Sequence, residues 1–266
     1  PERRSEFCEI LAYHFKQAGA VAKTVSYMRQ SGEKSLERYA VEDAHRYFQH
    51  AYDLLTTAPD KADGSGARLL DLLNRWSAAY YYRSDFKGLT RLLESNRHLA
   101  AAAADPAAAA TFYKWLGFAL WGRERYAEAR RHLAAALDIG VRLNDTRIMG
   151  ECHAWLTWTC AEMGRLAEAI DHGKQAQALS AALSWDHDIF FLAASGMGHA
   201  YWYMGDRRRS LEAGEALIRH GETHANNFRS VVEGYHIMGW SHFIAGDFST
   251  AAECFREAVR RAALPY

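Results

Sequence analysis

The 266-residue chain has little proline, only 4 residues, and its 4 cysteines are scattered with no CxxC pair. The first scarcity removes the commonest helix breaker; the second argues against a disulfide framework or a zinc ribbon and fits thiols packed as small apolar residues. Valine, isoleucine and threonine do not alternate with polar residues, so strands are not expected. Charge of one sign is not in excess either, with Lys plus Arg and Asp plus Glu both at 32. A balanced chain offers no general field for nucleic acid or an anionic membrane. The longest uncharged run worth considering, 189–205, is too short to span a bilayer and is interrupted by Ser195, His199 and three glycines. No secretory leader opens the sequence, and a cytoplasmic location is expected. The chain starts at Pro1 and reads as helix almost at once, as expected of a piece of a longer protein.

What is present is helix-forming. Hydrophobic residues make up 49% of the chain, and long stretches are rich in Ala, Leu, Glu and Arg. Such a length calls for two domains or one elongated repeat array. Internal repetition favours the array. A small residue, a glycine seven positions on and another small residue five beyond recur as Thr157, Gly164, Ala169; Gly198, Gly205, Ser210; and Gly239, Gly246, Ala251. Gly117, Tyr126 and Ala129 fit the same frame with Glu124 in place of the turn glycine, and Ser77, Phe86 and Leu89 form a weaker copy. The second small position falls at Leu89, Ala129, Ala169, Ser210 and Ala251, in steps of 40, 40, 41 and 41.

This pattern resembles the tetratricopeptide repeat, in which a small residue admits a partner helix, a glycine ends the first helix and an alanine packs in the second. The resemblance implies an all-α, right-handed superhelical solenoid of antiparallel helix pairs with about fourteen helices. Because the spacing exceeds the usual repeat of about 34 residues, each helix should be about one turn longer. Asp105 before Pro106, Asp145 and Asn227 are expected N-caps. The segment 59–66, "PDKADGSG", reads as a loop that separates residues 1–58 from the regular repeats at 66–266, the two running on as one solenoid. Within 1–58, Thr24 and Ala44 stand only 20 residues apart; short helices are expected there, with turns near Gly19, Gly32 and Ala40.

The runs "LAYHF", "SYMRQSGEKSLERYA" and "DAHRYFQHAYDLL" in the first part resemble a bacterial group. It is the helical repeat region that follows the ATPase module in multidomain proteins, notably those with a class III adenylate or guanylate cyclase domain. Similar segments follow the ATPase of transcription activators of the signal-transduction ATPase class. The chain has no GxxxxGK[ST] loop of its own; "GAVAKT" at 19–24 lacks the second glycine. Any cyclase or ATPase chemistry would therefore belong to the parent, and no enzyme activity is expected of this chain.

In the tetratricopeptide family the first helix of each pair lines the concave face. By that resemblance the face carries Tyr81 and Tyr82; Lys114, Phe118 and Trp121; Trp158 and Glu162; His199, Trp202 and Tyr203; and His236, Trp240 and Phe243. Asp71, Asn74, Glu151, Ser195 and Glu233 fall at polar positions of the same sets. These rings are either platforms for a bound segment or rings buried between repeats by the longer helices. The partner implied is a protein or peptide segment, or other domains of the same parent; no nucleic acid, membrane, cofactor or metal is expected, and no oligomeric state is implied. A peptide or small-ligand sensor is the alternative reading.

Lys114 with Asn74 does not complete a carboxylate clamp. His220 and His224 lack a third ligand, and Cys152 and His153, adjacent on a helix, point about 100° apart. Arg207, Arg208 and Arg209 read as a solvated run behind an Asp206 cap, the alternative being a contact with a partner's carboxylates or with phosphate. No nucleophile–base grouping has a catalytic spacing.

Overall fold

The computed structural model describes residues 7–57, 65–223 and 228–263, and among them fourteen helices and no strand. The chain divides into two compact units, Pro1–Arg123 and Glu124–Tyr266. The first holds α1 (Cys8–Gln17), α2 (Val21–Glu37), α3 (Val41–Thr57), α4 (Ser65–Arg83), α5 (Phe86–Ser95), α6 (Arg97–Ala101) and α7 (Pro106–Trp121). The second holds α8 (Tyr126–Leu143), α9 (Thr146–Glu162), α10 (Leu166–Ala182), α11 (His187–Tyr203), α12 (Arg207–Thr223), α13 (Phe228–Ile244) and α14 (Phe248–Ala262). In each unit helices adjacent in sequence pack on one another, and alternate helices such as α9, α11 and α13 also touch. That is the stacking of helix pairs. No helix among the described residues is long and apolar enough to cross a membrane.

The seven-plus-five frame extends further than the sequence reading found. Its turn residue is left-handed seven times over: Gly19 (φ +67°), Tyr39 (+56°), Ser84 (+52°), Glu124 (+60°), Gly164 (+72°), Gly205 (+71°) and Gly246 (+78°). Seven residues before each stands a buried residue, Ala12, Gly32, Ser77, Gly117, Thr157, Gly198 or Gly239; five after stands another, Thr24, Ala44, Leu89, Ala129, Ala169, Ser210 or Ala251. The local cause is the way the helix ends. At Gly164 the amide of Arg165 reaches back to Cys160 O (2.9 Å) and that of Gly164 to Ala161 O (3.0 Å); Gly205 and Gly246 close in the same way. This double closure satisfies the last carbonyls and needs one left-handed residue, for which glycine costs least.

The frame corrects the expected turn at Gly32. That glycine lies inside α2, buried against α3, where an added Cβ would come within 2.7–2.9 Å of the Phe48 ring. The turn belongs to Tyr39, and α2 serves two frames at once, Thr24 closing one and Gly32 opening the next. The 20-residue step therefore reflects one shared helix; α1 is short, at 10 residues, but α2 and α3 have 17 each, which corrects the expectation of short helices there.

Further on, α7 to α14 run to 15–18 residues, the extra length expected from the spacing. Asp105 accepts from the amide of Ala107 with Pro106 as the first helical residue, and Asp145 from that of Ile148. Asn227 and residues 59–64 lie outside the described residues, while Ser65 and Gly66, read as loop, begin α4. Cys8, Cys152, Cys160 and Cys254 are all buried thiols.

Candidate functional site

The predicted site residues of the first unit cluster around Phe118. Tyr81 packs on Tyr82 (5.3 Å between centroids) and on Phe118 (5.2 Å), Phe118 on Phe86 (5.3 Å), and Phe86 on Trp121 (6.3 Å). Phe118 is 2% exposed and Lys114 8%, its ammonium 4.6 Å above the Trp115 ring. Asn74 donates to Ala108 O (2.9 Å). These groups join α4, α5 and α7; of the five, Tyr82 is open, at 44%.

The second unit presents a different arrangement. The first helices α9, α11 and α13 place Trp158, His199, Trp202, Tyr203, His236, Trp240 and Phe243 in one ladder of rings. Trp158 lies 4.6 Å from His199, His199 5.9 Å from Trp202 and 6.2 Å from His236, Trp202 5.6 Å from Trp240, and Trp240 5.6 Å from Phe243. Helical spacing explains the alignment, since residues three or four apart share a face. His199 precedes Trp202 and Tyr203, and His236 precedes Trp240 and Phe243, by such steps. Close approach of α11 and α13 rests on Gly198, whose Cβ would meet Ile237 at 2.8 Å, and that of α13 and α14 on Gly239, whose Cβ would meet Phe255 at 2.6 Å.

The rings are partly exposed. Tyr203 is 43% open and Phe243 46%, with Trp158, Trp202 and Trp240 between buried and exposed. Two indole N–H groups are committed: Trp158 donates to Leu192 O (3.0 Å) and Trp240 to His236 Nε2 (2.8 Å). A recess of about 250 Å³ opens beside Trp202, lined also by Gly205, Arg207, Ser241, Ile244 and Ala245.

Two carboxylates sit among the rings. Glu162 accepts from the Tyr203 hydroxyl (3.3 Å). Burial, with the charge of and the hydrogen bond to Glu162, pushes the Tyr203 phenol up to about 12. Glu233 lies between two imidazoles, Oε1 3.8 Å from His199 Nδ1 and Oε2 3.6 Å from His236 Nδ1. Burial alone would raise its carboxyl, but the two imidazoles beside it outweigh that, leaving Glu233 below its ordinary range. The histidine protons can be assigned from their partners. His199 Nδ1 lies 3.0 Å from Ser195 O, so it carries hydrogen; His236 Nε2 accepts from Trp240, so the proton of the neutral ring is on Nδ1, toward Glu233.

Two groupings that the sequence reading did not single out emerge from contacts between helices. His199, Glu233 and His236 form one set spaced closely enough to suggest ligation; Cys160, Glu168 and His172 form another. The donor geometry disfavours a metal in both. A dication on His236 Nδ1 would move the ring proton to Nε2, against the indole N–H of Trp240. In the second set, Arg130 already occupies Glu168 at 2.6 Å, and burial ahead of the Glu168 charge pushes the Cys160 thiol up to about 11, which opposes the thiolate a metal needs. His220 meets His187 (3.1 Å) across helices; His224 lies outside the described residues. The arginine run is exposed, with Asp206 capping through the Arg209 amide (3.1 Å).

No protein-family model matches the sequence, nor does any curated protein. Solved structures do match. Aspartyl phosphate phosphatase F from Bacillus subtilis aligns with TM-score 0.70 at 12% identity, over 91% of this chain and 60% of that one. A Rap protein complexed with competence and sporulation factor aligns at 0.69 and 15%, over 89% and 64%. A signal transduction ATPase with numerous domains that has a tetratricopeptide repeat sensor, from Pyrococcus horikoshii, aligns at 0.65 and 14%, over 98% and 40%. The fold is that of tetratricopeptide-like helical repeats. The chain spans less than two thirds of each of these proteins.

Proposed function

We propose that this chain is a non-catalytic recognition module of a larger signalling protein, holding a polypeptide segment against the ring-bearing face of α9, α11 and α13. The observation that carries the reading is the ladder from Trp158 through His199, Trp202 and Trp240 to Phe243, which crosses three successive first helices and keeps part of its surface open. Large rings with few rotors lose little entropy on contact and supply much of the energy at protein interfaces. A neighbour complexed with competence and sporulation factor, and another whose repeats are a sensor, support such use of the fold. The parent is a bacterial protein with an ATPase module and a class III nucleotidyl cyclase, as the N-terminal runs imply; the face then binds a separate protein or another domain of that parent.

The test is capture of partners by the 266-residue chain beside a Trp158→Ala/Trp202→Ala variant of unchanged helicity. Loss of the captured species supports the reading, and unchanged capture removes the ring face from it. A second reading, a small-ligand or peptide sensor of a signal-transduction ATPase that regulates transcription, is favoured by the recess beside Trp202. Titration of tryptophan fluorescence with metabolites and short peptides separates the two.

A further inference from the structure

The ring-bearing helices are segregated by charge. From residue 148 to 162, 187 to 203 and 230 to 244 there is no lysine or arginine, yet Glu151, Asp188, Glu162 and Glu233 fall within these stretches. The two arginines of α9 and α13 are engaged near the helix starts: Arg147 bonds Asp186 (2.7 Å), and Arg229 lies over Phe191 (4.7 Å) with Asp188 at 3.9 Å. Several carboxylates elsewhere in the unit meet arginines, as Glu168 does Arg130, Asp206 Arg209 and Glu257 Arg260. Glu162 and Glu233 differ, since their partners are the Tyr203 hydroxyl and two imidazoles. Arg207, at the recess beside Trp202, is directed to His242 Nδ1 (3.2 Å), with Asp247 on the same nitrogen (3.1 Å).

We propose that this face recognises a polypeptide segment bearing lysine or arginine, a charged head drawn to Glu233 or to Glu162 and its stem laid over the rings of Trp158, Trp202 and Trp240. A carboxylate flanked by imidazoles, with neither guanidinium nor ammonium paired to it, is left to attract a further cation, and aromatic faces attract cations through their quadrupole. Each effect gains where water is partly excluded, and the Glu233 side chain is 21% exposed. A bare dication fits less well because the Trp240 indole holds His236 in the wrong tautomer. The inference rests on the partner-binding reading above and adds the sign of the partner's charge.

A display library of random dodecapeptides, selected in EDTA against the immobilised chain and against its Glu162→Gln/Glu233→Gln variant, tests it. The expected result is enrichment of peptides with a basic residue beside apolar ones. Changing that residue to glutamine should then weaken binding about tenfold to the wild-type chain and hardly at all to the variant. Enriched uncharged or acidic peptides that still need Trp158 and Trp202 would overturn the charge inference and leave the partner face standing. Peptides indifferent to both tryptophans, or no enrichment, would overturn both. Should the double variant misfold, the Glu162→Gln protein alone carries the comparison.

Discussion

The imidazoles of His153 and His172 face one another, Nδ1 to Nδ1 at 2.8 Å, on the contact between α9 and α10. One ring must donate and the other accept, so the pair is bonded only while at least one nitrogen lacks a proton. His153 is 6% exposed; burial, and then the charge of His172, pushes its pKa down to about 4. Burial lowers His172 too, partly opposed by the charge of Glu168, whose Oε1 is 3.9 Å from His172 Nε2 and is paired with Arg130.

The consequence is a stability that depends on pH. Unfolded histidines take up protons near pH 6.5 while the folded pair stays neutral, so the unfolded state gains protons first. Stability is full above about pH 6.5 and falls as the pH drops toward 4, with His153 alone accounting for about 2 kcal/mol at pH 5. The Glu168 carboxylate, lowered in the fold against the pull of its burial, adds its own loss only in the more acidic range. Urea midpoints at pH 7.5 and 5 should differ, and His153→Gln should flatten the slope between them. A midpoint constant over that range would sink the assignment.

Gly32 tests a second contact. By helix propensity, Gly32→Ala in the interior of α2 should stabilise by about 1 kcal/mol. The fully buried Phe48 ring, 2.7 Å from the added carbon, reverses the sign: overpacking of about 1–3 kcal/mol outweighs the gain. Denaturation of Gly32→Ala, of Phe48→Leu and of the pair forms a cycle in which the double variant should be less destabilised than the sum. Additivity would mean that the two positions do not press on each other.

Ala251 makes the same point in the last helix pair. It is 2% exposed, and Ala251→Trp has no space to enter, so about 1–3 kcal/mol should be lost. Arg260 is exposed and bonded only along its own helix to Glu257, so Arg260→Ala should leave the melting temperature nearly unchanged. Equal shifts in the two variants would show that the register of α14 is wrong.

These contacts also show how far the sequence could be read. Where a glycine fills the turn, as at Gly164, Gly205 and Gly246, the frame is visible in the letters. Where Tyr39 or Ser84 holds the same backbone the mark is fainter, a turn expected near Ala40 and a weak copy of the frame from Ser77 to Leu89, and Gly32, chosen for closeness rather than for φ, resembles a turn. The rings of the candidate face were legible because helical spacing is local. The His153–His172 contact and the meeting of His199 with Glu233 were not, because they join residues 19 and 34 positions apart on different helices, and which side chains converge there depends on how helices pack.

Glu124 supplies the last test, because it takes the turn position of the frame with φ +60° and is not a glycine. A left-handed residue with a Cβ carries about 1–2 kcal/mol of steric cost, against which glycine adds back about 0.5–1 kcal/mol of unfolded-state entropy. Glu124→Gly should therefore stabilise by about 0.5 kcal/mol or more. The reverse change, Gly205→Ala, enters open space, with no atom within 4 Å of the new carbon. Its expected loss of about 1 kcal/mol would thus report backbone conformation alone. If thermal unfolding ranked both variants on the same side of the wild type, the shared left-handed turn would not be what fixes these helix ends.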